Sequence, residues 1–153
     1  MNNIEIRQLS KDEKIPYDLL LLADPSKELI DEYYNRGICY VAYDIDKIVG
    51  IYVLLKTRPL TMEIVNIAVD EDYQGNGIGK ALLYHAIKKA RENRAKILEI
   101  GTGNSSIAQL ALYQKCGFHI DSINKGFFRK HYNEKIYENG IECIDMLRLS
   151  MEI

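Results

Sequence analysis

Twelve residues, Val69-Asp70-Glu71-Asp72-Tyr73-Gln74-Gly75-Asn76-Gly77-Ile78-Gly79-Lys80, carry a strand end, a loop with three glycines and a helix start. Few arrangements accommodate such a run. Glycine enters left-handed backbone conformations without strain, and a helix start leaves its first amides unpaired, so loop and helix together can ring an anion with N–H donors. The helix dipole contributes about 0.3 to 2 kcal/mol to an anion held there. The strand before it belongs in a sheet with the helix packed across it, which makes the chain a mixed α/β layer.

The spacing narrows which phosphate the loop fits. A dinucleotide fingerprint needs G-x-G-x-x-G, but after Gly75 and Gly77 the third glycine is Gly79, and Lys80 stands where a small residue is required. A P-loop fails because Gln74 replaces its first glycine and Ala81 its magnesium-binding hydroxyl. The arrangement that remains is Gln-x-x-Gly-x-Gly, from Gln74 to Gly79.

Periodicity orders the rest. Glu5–Leu9 alternates as a strand, and Pro16–Tyr34 reads as two helices broken at Asp24-Pro25-Ser26, with Asp24 as N-cap and Pro25 in the first turn. Gly37 stops the second helix. Cys39–Asp44 and Lys47–Lys56 form a hairpin around Asp44-Ile45-Asp46, and Met62–Val69 is a third strand. Gly77–Asn93 is a helix, Ile97–Ile100 a short strand, and Ser106–Cys116 a helix opened by the capping box Ser106-x-x-Gln109. Phe118–Ile123 and Ile141–Ser150 close the pattern as strands around a polar, aromatic connection. The order β, αα, βββ, α, β, α, ββ places helices on both faces of one sheet.

At 153 residues the chain predicts one domain, 1–153, large enough to bury its own core. Twenty Lys and Arg against 22 Asp and Glu give a net charge of -2, so no basic field points to nucleic acid. No apolar run approaches the roughly 20 residues of a membrane span. Met1–Arg7 lacks the basic start and apolar run of a signal peptide, which predicts a cytoplasmic protein. Cys39, Cys116 and Cys143 are widely spaced with no C-x-x-C pair, so neither a disulfide framework nor a metal site is expected. The histidines His85, His119 and His131 fall one per element and suggest no catalytic centre.

The glycine run resembles the pyrophosphate loop of the GNAT N-acetyltransferase family. A second stretch supports the resemblance: Asn104, Ala108, then Leu112-Tyr113-Gln114-Lys115-Cys116-Gly117-Phe118, similar to the family's second cofactor motif. The likeness is close over Val41–Phe118 and follows element order elsewhere. It implies a single-domain fold with a mainly antiparallel central sheet and helices on both faces.

It also implies acetyl-CoA as the acetyl donor, with Gln74, Gly75, Asn76, Gly77, Ile78, Gly79 and Lys80 around the pyrophosphate. The edge of Ile67, Ala68 and Val69 would hold the pantetheine arm, and Asn104 would contact that arm. Tyr113 matches the family tyrosine that protonates the departing thiolate. Glu63, read as sharing a strand face with Val65 and Ile67, is the first candidate base, and Glu99 the second. Glu71 and Asp72 read as loop acids that shape the helix start. Cys116 beside the thiol site reads as a small helix-ending residue, and the resemblance implies neither a metal nor a covalent enzyme intermediate. Tyr33-Tyr34 and Phe127–Tyr132 fall where the fold places its acceptor walls.

The activity so implied is direct acetyl transfer in a ternary complex to a small primary amine. A protein N-terminus or lysine is the alternative acceptor, and a non-catalytic acyl-CoA sensor the alternative class. A homodimer through the alternating Glu142–Leu149 run is a further expectation.

Overall fold

The computed structural model describes residues 3–153. The N-terminal reading of Met1–Arg7 begins on Met1 and Asn2, which lie outside the described residues. A sheet of seven strands runs in the order β1-β2-β3-β4-β5-β9-β6, and a separate two-stranded hairpin pairs β7 with β8. The main strands are β1 (Ile4–Gln8), β2 (Ile38–Asp44), β3 (Lys47–Arg58), β4 (Thr61–Val69), β5 (Ile97–Gly103), β6 (His119–Asn124) and β9 (Met146–Glu152). The hairpin is β7 (Ile136–Glu138) with β8 (Ile141–Cys143). Among the described residues only β4 and β5 pair in parallel, so the sheet is mainly antiparallel as expected.

Two apolar layers sandwich the sheet. On one face Tyr52, Leu54, Ile64, Leu98 and Ile100 pack under Leu82, Leu83 and Ala86 of α3 (Ile78–Glu92) and Tyr113 of α4 (Ile107–Lys115). On the other, Val41, Ile51, Val53 and Ala68 pack under Leu19 and Leu20 of α1 (Tyr17–Ala23) and Ile30, Tyr33 and Tyr34 of α2 (Lys27–Arg36). No helix among the described residues is long and apolar enough to cross a membrane.

Several local expectations change. The N-cap of α2 is Ser26, whose hydroxyl accepts from the Leu29 amide at 3.2 Å; Asp24 instead closes α1. Ser106 precedes α4 without a capping bond, because its hydroxyl donates to Glu138 at 2.6 Å. The strand expected over Ile141–Ser150 is two strands, β8 and β9, interrupted at Ile144-Asp145, where Asn104 captures both amides. The connection before it holds α5 (Phe127–His131) and β7. Because β9 is paired on both sides, by β5 and β6, the Met146–Leu149 part of the run expected as a dimer edge is not free. The edge strand of the sheet on that side is β6.

Two features of β4 position everything that follows. Its register against β3 shifts between Val53↔Asn66 and Leu54↔Ile64, leaving Val65 as a bulge that reverses side-chain alternation beyond it. Its pairing with β5 stops after Ile64↔Ile100, so Val65–Val69 and Gly101–Gly103 part and leave one edge of β4 open.

Candidate active site

The glycine loop leaves β4 at Val69. Asp70 accepts from the Asp72 amide at 2.9 Å and organises a 3₁₀ turn over Glu71–Tyr73 ahead of the helix, a role played by the Asp70 side chain and not by those of Glu71 or Asp72. Gly75 and Gly77 have φ of +81° and +82°, conformations that strain any residue with a Cβ, and nothing lies within 4 Å of a Cβ built at either. Open space therefore adjoins the loop on that side. The first helical bond of α3 runs from the Ala81 amide to Gly77, so the amides of Ile78, Gly79 and Lys80 have no acceptor within the helix. A Cβ at Gly79 would lie 3.4 Å from the Leu112 side chain of α4, at ordinary contact distance.

The polar side chains of the loop are used internally. Gln74 donates to the Val69 carbonyl at 3.1 Å, and Asn76 donates to the carbonyls of Tyr73 and Gln74 at 3.0 and 3.3 Å. They set the loop's shape, which leaves the backbone amides at the helix start as its free donors. Lys80 is exposed, with its ammonium 5.8 Å from the Tyr84 ring centre, within cation–π range.

Below the point where β4 and β5 part, Glu63 and Glu99 face each other in register on the parallel pair. Arg148 of β9 lies between them. Its guanidinium meets Glu63 through two hydrogen bonds of 3.0 and 3.2 Å and stands 3.7 Å from Glu99. Arg58 donates to the other Glu99 oxygen at 2.6 Å. Burial acts to lower the Arg148 pKa, but the hydrogen bond and charge of Glu63, with Glu99, outweigh it and raise the value. Glu99 Oε1 is buried without a hydrogen-bond partner.

The bulge corrects one expectation. Glu63 pairs with Leu55 on the α1/α2 face, where Val65 also packs, whereas Ile67 pairs with Tyr52 on the α3 face. Glu63 therefore shares a face with Val65 and not with Ile67. Sequence reading missed both arginines; the available signal was a lone cation inside the apolar alternation Leu147-Arg148-Leu149.

Tyr113 is buried in α4 with its ring 6.3 Å from Phe118. Burial, with the charge of Glu138 adding, raises its hydroxyl pKa, so it stays protonated through neutral pH. The Asn104 side chain is held by contacts within the protein. Its Oδ1 accepts from the Ile144 and Asp145 amides at 2.8 and 3.0 Å, and its Nδ2 donates to the Glu142 carbonyl at 3.1 Å. It is a strut between β5 and the β8–β9 link. Cys39, Cys116 and Cys143 are buried and unpaired, and Cys116 closes α4.

A loop of free amides beside an opened strand edge is the arrangement the sequence resemblance implies, and the acetyltransferase (GNAT) family model matches residues 4–118. The chain belongs to the GNAT family. It is 58% identical, over 98% of its length and 96% of the relative's, to an uncharacterised N-acetyltransferase of Bacillus subtilis strain 168, YvbK. A GNAT acetyltransferase of Elizabethkingia anophelis with acetyl-CoA bound superposes with a TM-score of 0.98 at 54% identity, covering 100% of both chains. A Bacillus subtilis acetyltransferase in complex with CoA gives a TM-score of 0.93 at 56% identity, covering 99% of each chain. This GNAT chain is thus an N-acetyltransferase, with Glu63, Glu99 and Arg148 gathered at the foot of its strand opening.

Proposed function

We propose that the protein moves the acetyl group of acetyl-CoA to a small primary amine by direct attack in a ternary complex. The observation that carries this reading is the coincidence of two unsatisfied backbone surfaces: the amides at the start of α3 and the β4 edge from Val65 to Val69. An extended polyamide chain ending in a pyrophosphate would satisfy both. Relatives with acetyl-CoA and CoA bound support that identity of the ligand.

Acetyl-CoA supplies an activated thioester. In this reading Gly75–Lys80 hold its pyrophosphate, with Gln74 and Asn76 shaping the loop, and Ile67, Ala68 and Val69 pair with its arm as an added strand would. An amide near Ile67 or Ala68 polarises the acetyl carbonyl, an interaction that strengthens as negative charge develops on oxygen. Glu99 is the better placed proton acceptor, because Oε1 is unbonded while both Glu63 oxygens are held by Arg148. Glu63 then fixes Arg148, and Arg148 with Arg58 fixes Glu99.

Tyr113 acts on the leaving group. A phenol ordinarily titrates about 1.5 units above a thiol, and burial widens the gap here. Full proton transfer to a thiolate is therefore uphill by about 2 kcal/mol or more. Tyr113 stabilises the thiolate by a hydrogen bond, and solvent completes protonation.

A small acceptor is favoured because the Tyr132 hydroxyl, from the segment after α5, bonds Asp24 between α1 and α2 at 2.8 Å. That bond ties the β5-β9-β6 side of the opening to the β4 side, so an acceptor has to pass beside it or displace it. The test is thiol release from acetyl-CoA with polyamines, amino acids, aminoglycosides and short peptides offered in turn. Acceleration confined to small amines supports the reading; acceleration by peptides alone overturns the acceptor, and acetyl-CoA binding without turnover for any amine indicates a sensor.

A further inference from the structure

A second polar cluster lies on the α1/α2 side of the opening, and the transfer chemistry leaves it unused. Asp24 is 9% exposed, and no ion pair reaches it among the described residues. Its Oδ1 accepts from the Ser26 amide at 3.1 Å and the Tyr132 hydroxyl at 2.8 Å, and its Oδ2 accepts from the Tyr33 hydroxyl at 3.0 Å. The Tyr33 hydroxyl in turn accepts from Asn66 Nδ2 at 2.9 Å. That nitrogen's other bond, 3.0 Å to the Leu20 carbonyl, fixes the amide orientation, since a carbonyl can only accept. Asn66 Oδ1 is thereby turned to the opposite edge, buried and without a partner, on a residue only 4% exposed.

The cluster lacks one kind of group. A carboxylate offers about four acceptor positions, and Asp24 uses three of them, all with neutral donors. A buried charge without a countercharge is costly, and a buried amide oxygen without a donor costs about 1 to 3 kcal/mol. Each deficit calls for an N–H donor, and that of Asp24 for a positively charged one. Asn66 stands on the part of β4 that β5 has left, so the deficit borders the reaction cleft. Tyr132, 108 positions away in the chain, is the partner of Asp24 that comes from outside α1 and α2 and the link between them.

We propose that Asp24 and Asn66 form the subsite for a cationic group of the amine acceptor, and that this group displaces the Tyr132 hydroxyl, which otherwise latches the site shut. The proposal rests on the acetyl-transfer reading for its acceptor, but its test does not depend on turnover. The probe is 1,6-diaminohexane, titrated calorimetrically into the CoA-saturated full chain, with 1,6-hexanediol as the uncharged match. The diamine binds and the diol does not. Asp24→Asn weakens the diamine by about 10- to 100-fold, the range for losing a charged hydrogen bond. Tyr132→Phe changes it the other way, tightening it by about fivefold, because a competing hydrogen bond is gone.

Opposite signs separate recognition from a purely structural network, in which both variants weaken the probe. That result, an unchanged affinity in Asp24→Asn, or no binding of the diamine to the unmutated protein would each overturn the proposal. CoA binding to every variant reports folding. If the unmutated protein does not bind CoA, the acetyl-transfer reading fails, and titration into the free protein still decides the fate of Asp24.

Discussion

Replacing Arg148 by Met removes the cation from between two carboxylates that the parallel register places side by side. The side chains of Arg148, Glu63 and Glu99 are 27%, 16% and 13% exposed, so all three are mostly out of water. Breaking a fully buried pair costs about 3 to 5 kcal/mol, mainly by stranding the remaining charge. Here solvent reaches part of the guanidinium and Arg58 still serves Glu99, which brings the expected loss to about 2 to 3 kcal/mol. For a domain of this length that corresponds to a melting point lower by about 4 to 12 °C. Urea unfolding at neutral pH measures it directly. The mechanism also demands a rescue: Glu63→Gln added to Arg148→Met restores about 1 kcal/mol or more, because a neutral amide needs no cation. A loss below about 0.5 kcal/mol, or a double variant that simply sums the two single losses, would refute the stranded-charge reasoning.

Gly77→Asp introduces a side chain and a negative charge at φ +82° beside the helix start, and should abolish measurable acetyl-CoA binding by calorimetry. Tyr113→Phe should lower kcat about tenfold or more with the acetyl-CoA affinity unchanged, the pattern of a contact made in the transition state; an equal rate sinks the leaving-group role. Ile45, 74% exposed at the hairpin tip, holds a φ of +58° that a β-branched residue adopts under strain, so Ile45→Gly should raise stability by about 0.5 to 1 kcal/mol in urea unfolding. His85 has its pKa lowered by burial first, then by Lys89 and Lys88, and its ring contacts the Tyr52 hydroxyl at 2.7 Å. A depressed pKa means stability is complete above pH 6.5 and is lost as pH falls through the folded value, so the melting point of the unmutated protein should drop between pH 7 and 5 more than that of His85→Gln.

Local patterns in the chain were enough to place most elements. The glycine run, the two helices around Pro25 and the first three paired strands were legible because turn chemistry and alternation are set by neighbours in sequence. Readings that depended on distant partners failed. Ser106 has the sequence of a cap, but Glu138 takes its hydroxyl. The Asn104 side chain joins the Ile144 and Asp145 amides, a contact that nothing near it in sequence announces. The Val65 bulge changes which face a side chain meets, and no local feature announces it. Arg148 becomes meaningful only once β9 is inserted next to β5, a step that the order of strands in sequence conceals.

The parting of β4 from β5 divides the sheet into two leaves, β1 to β4 and β5-β9-β6, joined across the seam by four residue pairs from Thr61↔Ile97 to Ile64↔Ile100. A ligand seated in that seam completes the missing rungs of the ladder. In the proposed reading its binding energy would act as cross-leaf adhesion, making the acetyl donor a structural member of the sheet as well. The amides of Val65–Val69 on the open edge should exchange with solvent hydrogen at a rate that follows the supply of that ligand, linking the mechanical cohesion of the protein to the metabolic state around it.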